Sequence, residues 1–304
     1  MTEDEYVFEY SMEQLSLQYL FASPTRRLDM IQFMSGVSLR IIAFLLNILL
    51  LTTLMHSATL RKNSFYYFVT LICACDLIQL TTSLYNVTYT AFRQAISPSP
   101  FTLSHQLIFF VDDAAMWTYI CTLAVIALNR VVCVAFPVQF KVPSAHDDDF
   151  FYIATFEALF TQNLSKSLVL FCVAAGIAMS LPHLHPCCRL FSFPDWHMTT
   201  YYPSDTWYQY LDLLVSSLGA MIIVLSYSLM FLIIRTSANY VFLMSAVNLV
   251  MFSMIFWLPC LESTGFVGLI QNTMYAFQNI MNPTIAFIFN KAIRDGATRI
   301  FACT

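Results

Sequence analysis

From about residue 33 onward the chain is a succession of apolar runs, separated by short polar stretches that hold most of its lysines and arginines. A helix rises about 1.5 Å per residue, so roughly 20 mostly apolar residues are needed to cross a bilayer. Seven runs reach that length, at about 33–57, 64–90, 105–136, 167–185, 207–234, 240–261 and 266–289. The pattern predicts an all-α, polytopic membrane protein with a seven-transmembrane-helix bundle over 33–290. An acidic segment, 1–32, precedes the bundle and is expected to be extracellular and disordered, and a short cytoplasmic tail, 291–304, follows it. The third run is the clearest. The fourth is the weakest, because its core LVLFCVAAGIAMSLPHL is short and follows a polar stretch.

Composition agrees: 59% of residues are hydrophobic and 11% charged, against about 25% charged in soluble domains. A formal charge of -4 gives no nucleic-acid footprint. Of nine cysteines, Cys73, Cys75, Cys121, Cys172 and Cys260 lie in or beside apolar runs, where a thiol behaves as a small hydrophobe. No Cys/His spacing fits a metal, so neither metal nor cofactor is expected. No His/Asp/Glu cluster supports acid–base chemistry, and the chain is not expected to be an enzyme. The N-terminus lacks the basic and apolar regions of a secretory signal, which leaves insertion to the first span.

The distribution of basic residues sets the orientation. With the N-terminus outside and the C-terminus inside, Arg61, Lys62, Arg130, Lys141, Lys166, Arg235, Lys291, Arg294 and Arg299 are cytoplasmic, and Arg26, Arg27, Arg93 and Arg189 are external. On this topology Asn86, in N-V-T, is an external glycosylation sequon, whereas Asn163, in N-L-S, is cytoplasmic.

Several polar residues interrupt the spans. Asn47 lies fourteen residues before Arg61 and Asp76 fourteen after Lys62, so both sit about 21 Å from the inner loop and can meet. Asn282 can join them in a polar network. Interhelical hydrogen bonding is the main role expected, with a sodium-linked or switching role as the alternative. Asp112 and Arg130 are eighteen residues apart, which is five turns, so the third helix carries an acid near its outer end and a base near its inner end on one face. Asp112 reads as an acid in a hydrated vestibule or as the counter-ion of a cationic ligand. Arg130 reads as an interfacial anchor or as part of a switch. Pro259, beside Trp257 in FWLPC, and Pro283, in NPTIAFIFNKAIR, each remove a helical hydrogen bond and predict kinks. The second kink leads into a basic, amphipathic end.

Taken together and in order, Asn47, Asp76, Asn129-Arg130, Tyr227 in SYSLMF, Trp257-Leu258-Pro259 and Asn282-Pro283 resemble the motifs of the rhodopsin-like seven-helix G-protein-coupled receptors. Within that clan, ALNRVVCVAFP, CRLFSFPDWHMTTY and IFNKAIR resemble the nematode serpentine chemoreceptors, class x in particular, over roughly residues 33 to 295. The resemblance implies a plasma-membrane chemosensory receptor, placed by its family at the sensory cilium. It would bind an external small molecule or peptide and signal to a heterotrimeric G protein. It assigns Asn129, Arg130, Tyr227, Trp257, Pro259, Asn282 and Pro283 to coupling and switching. A ligand pocket is expected from Asp112, Trp117, Tyr119, Trp257 and Tyr275, whose aromatic walls suit small amphipathic molecules.

The sequence departs from that pattern in places. His105 stands where these receptors carry a disulfide cysteine, which leaves Cys187 and Cys188 without that partner, and Asn129 replaces the acid before the arginine. Ala286 stands where a tyrosine follows the Asn-Pro pair. Residues 143–164 read as an acidic insertion in the second inner loop, while almost nothing separates Arg235 from Tyr240. The alternatives are accordingly a ligand-gated channel or transporter, although no internal repeat is visible, or a non-functional receptor remnant from an imperfect gene model.

Overall fold

A computed structural model describes residues 26–57, 60–61, 64–96, 103–135, 161–193, 198–202, 207–233 and 265–302. Its helices are α1 (Arg26–His56), α2 (Phe65–Ile96), α3 (Leu103–Ala135), α4 (Gln162–Ser180), α5 (Trp207–Ile233), α6 (Gly265–Phe289) and α7 (Lys291–Ala302). Helix α6 occupies the seventh expected run; the sixth, 240–261, lies outside the described residues, as do residues 1–25 and most of the acidic insertion. Between α4 and α5 the chain makes two short 3-10 turns, Leu181–Leu184 and Pro186–Cys188, and an antiparallel hairpin of β1 (Arg189–Phe193) and β2 (Met198–Tyr202). The hairpin register pairs Arg189 with Tyr202 and Phe193 with Met198.

Among the described residues, five helical stretches are long and apolar enough to cross a membrane: Gly36–His56, Phe65–Asn86, Leu103–Asn129, Gln162–Leu184 and Trp207–Ser226. Their outer faces support the same conclusion. Along α5, Trp207, Tyr210, Leu214, Leu218, Met221, Leu225 and Leu229 are all exposed. Spaced three or four apart, they form an apolar stripe turned away from the protein, the reverse of a water-facing helix. This is an all-α, membrane-embedded protein.

Helix α3 is the axis of the bundle and packs against α2, α4 and α5, while α1 lies between α2 and α6 and also carries α7. Around α3, Phe68, Ile72, Ala115, Trp117, Tyr119, Ile120, Leu123 and Ile223 form one apolar core. A second, between α1, α2 and α7, contains Leu50, Leu54, Tyr66, Cys73 and Ile293. Helix α4 approaches α3 most closely at Gly176, where an added Cβ would lie 2.2 Å from Thr118 Oγ1 and 2.6 Å from the Ala114 carbonyl oxygen. Only glycine fits that contact.

Element limits differ from the expected runs for local reasons. Helix α4 begins at Gln162 rather than 167, because Thr161 caps it: its hydroxyl accepts the Leu164 N–H at 3.3 Å. Residues 162–164, expected in the inner loop, therefore belong to the helix. It ends at Ser180 rather than 185, where Pro182 enters the first turn of a 3-10 helix. Helix α1 starts at Arg26 rather than 33, and α2 continues to Ile96 rather than 90. That last extension leaves Asn86 half-buried within a helix, a poor setting for a bulky glycan.

Candidate functional site: three buried polar clusters

The first cluster joins α1, α2, α3 and α6. Asn282 donates its side-chain amide to Asp76 Oδ2 at 2.9 Å and to the Tyr119 hydroxyl at 3.0 Å. Asp76 and Tyr119 are wholly buried. Pro283 has no N–H, so the carbonyl four residues earlier, that of Asn279, is released from the helix. Asn47 Nδ2 reaches across from α1 and donates to that oxygen at 2.9 Å. Its second donation goes to Ala43 O at 3.0 Å, and Cys73 Sγ donates to the Asn47 carbonyl oxygen at 3.1 Å. Asn47, Asp76 and Asn282 thus meet at one depth, with Asn47 bonded to backbone rather than to the carboxylate.

The second cluster lies between α1, α2, α3 and α6, about two helical turns from the first along α1 and α3. Arg40, only 2% exposed, donates through Nε to Ser83 Oγ at 2.6 Å and through Nη1 to Gly36 O at 3.1 Å. Asp112 and Tyr275 are within its electrostatic reach. Asp112 in turn accepts hydrogen bonds from Thr82 and, at 3.4 Å, from the Tyr275 hydroxyl. Asp112 therefore has a cationic neighbour built into the protein. Sequence reasoning missed Arg40, although a lone arginine inside VSLRIIAFLL is the signal to look for: an ionisable group in a span requires a partner.

The third cluster lies about 100° further round α3, on the side of α4 and α5. Asp113 and His183 are 5% and 1% exposed and form a pair at 2.8 Å, Nε2 to Oδ2. Ser180 Oγ lies 2.7 Å from the same carboxylate oxygen. The other ring nitrogen, Nδ1, is 2.9 Å from the Cys188 carbonyl oxygen. A carbonyl can only accept, so Nδ1 carries hydrogen, and one further proton lies between Nε2 and Asp113. Tyr208 closes the cluster, stacked edge-on to His183 at 4.9 Å and donating to Met179 O. Asp212 of α5 is also close enough to act on the imidazole. Cys187 and Cys188 are joined to each other by a disulfide, so the expected lack of a partner is answered within the loop.

The expected ligand residues are distributed over the three clusters and the core. Asp112 and Tyr275 come together. Tyr119, seven residues along the same face of α3, belongs to the Asp76 cluster. Trp117, four residues from Asp113, faces the other side, next to Tyr208, and is buried in the core. Trp257 and Pro259 lie outside the described residues, and the side chains of Arg130 and Tyr227 do as well, though both residues are helical. Asn129 and Pro283 are buried. His105 is buried too, with its ring edge-on to Phe109 at 4.7 Å and 6.0 Å from Tyr85, so an aromatic contact occupies the place of the missing cysteine. Among the described residues no group of three or more His, Cys, Asp or Glu is placed to hold a metal ion. No protein-family model matches the chain, and no curated protein matches it.

Proposed function

We propose that this chain is a plasma-membrane chemosensory receptor of the seven-helix, G-protein-coupled type, with its N-terminus outside and its C-terminus inside. The observation that carries this reading is the node at which Asn47, Asp76, Tyr119 and Asn282 bind four helices together beside a proline-freed carbonyl. In this reading the node is the two-state element, and a ligand that favours one arrangement of its hydrogen bonds shifts the population. The amphipathic helix α7 adds support, since it leaves the bundle directly after α6 and buries Ile293 and Ala297 against it.

In this reading residues 240–261 supply the remaining span. Asp112 and Tyr275 face a ligand entering from outside, and Arg130 at the inner end of α3 engages a heterotrimeric G protein. By family resemblance the receptor resides in a sensory cilium. Because Arg40 already offsets Asp112, the pocket favours neutral or hydrogen-bonding ligands over simple cations. The test is nucleotide exchange on a co-reconstituted heterotrimeric G protein, measured for the full chain and for Arg130→Ala. Exchange above the protein-free rate that disappears in the variant supports the reading. Equal rates for both chains across every G-protein class refute it. Accessibility of tags at the two termini in intact cells checks the orientation separately.

A further inference from the structure

The disulfide between Cys187 and Cys188 joins neighbours in the chain. Disulfide stabilisation grows with the length of the loop that is closed, so this bridge tethers no separate parts of the protein. What it does fix is the backbone from Cα of Cys187 to Cα of Cys188, the atom that carries the next carbonyl group. The carbonyl of Cys188 accepts the His183 Nδ1–H at 2.9 Å, and His183 holds Asp113 of α3 at 2.8 Å. A single chain of contacts therefore runs from the bridge through the imidazole to the central helix. The two sulfur-bearing residues also differ in access: Cys188 is fully buried, whereas Cys187 is partly exposed.

We propose that the Cys187–Cys188 bridge is a thiol-exchange site, and that its reduction loosens the hold of the 181–188 turns on Asp113. An external thiolate attacks Sγ of Cys187, the residue with solvent access, and the S–S bond breaks. Sγ of Cys188 leaves with the electron pair and takes up a proton. A second thiol then displaces Cys187 from the mixed disulfide. Two thiols of the reagent become one disulfide, two electrons pass to the protein, and both cysteines end as thiols. With the ring open, Cα of Cys188 is freed relative to Cys187, and the carbonyl it carries can move away from Nδ1. An external disulfide reverses the reaction. Placement of the site on the outer face rests on the receptor topology; the exchange chemistry does not.

The full chain in lipid nanodiscs, treated with reduced or oxidised glutathione, tests this. Alkylation with N-ethylmaleimide is read on the peptide that contains Cys187 and Cys188, in parallel with hydrogen exchange over residues 181–190 and around Asp113. The expected result is no alkylation of that peptide in the oxidised form, alkylation of both cysteines after reduction, and about tenfold faster exchange at both places, the scale for losing a buried hydrogen bond. The double variant Cys187→Ser/Cys188→Ser should exchange at the reduced rate whichever glutathione is present. Alkylation of both cysteines without reductant overturns the proposal, as does reduction that leaves exchange unchanged. A response to glutathione that persists in the double variant overturns it too. None of these readouts involves a G protein, so failure here and failure of the receptor reading are separate results.

Discussion

Replacing His183 by alanine removes the imidazole that lies 2.8 Å from the buried Asp113 carboxylate, with Ser180 still hydrogen-bonded to it, and takes from the Cys188 carbonyl the donor that reaches it. Removing one partner of a buried pair costs about 3–5 kcal/mol, most of it from the stranded charge. At about 1.4 kcal/mol per factor of ten, that is between two and four decades in the folding equilibrium. The remedy is specific: Asp113→Asn removes the charge that His183 neutralises, so the double variant Asp113→Asn/His183→Ala should be less damaged than the sum of the single changes, by about 1–3 kcal/mol. The assay is thermal unfolding of the full chain in detergent with a thiol-reactive dye, which reports the exposure of Cys75 and Cys172, 3% and 0% exposed in the fold. A wild-type melting midpoint for His183→Ala, or strictly additive effects in the cycle, would refute the reasoning.

Other expectations use the same chain. Arg130→Ala should abolish G-protein activation and leave surface delivery largely intact in a tagged-chain staining assay; loss of both would make Arg130 a folding residue. Gly176→Ala should lower the melting midpoint, at a cost of about 1–3 kcal/mol or more, because the new methyl meets backbone atoms of α3 that cannot yield. Gly36→Ala places a methyl 3.0 Å from Arg40 Nη1, which the Gly36 carbonyl and, through Nε, Ser83 hold in place, so it should melt below wild type, by less than Gly176→Ala. Arg40→Met and Asp112→Asn should each reduce surface expression and do less harm together than separately, since each alone strands the other's charge; additive losses would show that the two do not interact.

The membrane character and the depth of Asn47, Asp76 and Asn282 were legible because they depend on run length and on a fixed rise per residue. Partner choice was not. Spacing placed Asn47 beside Asp76, yet it bonds to the backbone of Asn279, because the oxygen freed by Pro283 competes for the same amide. Helical phase set Asp113 apart from Asp112, but nothing local marked His183 as its partner: the pair is seventy residues apart, and its formation depends on how Pro182 turns the chain out of α4. Trp117 and Tyr119 read equally well as ligand walls or as packing, since the sequence does not reveal which neighbour each face of α3 meets. Arg40 was visible but lies within a span, so the loop charges that set the orientation do not include it.

The contact between Asn47 and the carbonyl released by Pro283 also limits how such a chain can diverge. If alanine replaced Pro283, the returning N–H would share the Asn279 oxygen with the Asn47 amide and weaken that bond; if leucine replaced Asn47, the oxygen would stand bare in an apolar interior. Loss of Asn47 is therefore least costly beside loss of Pro283. Positions 47 and 283, on different helices and separated by most of the chain, should therefore be inherited as a pair, and an aligned set of relatives in which they vary independently would show that this hydrogen bond constrains nothing.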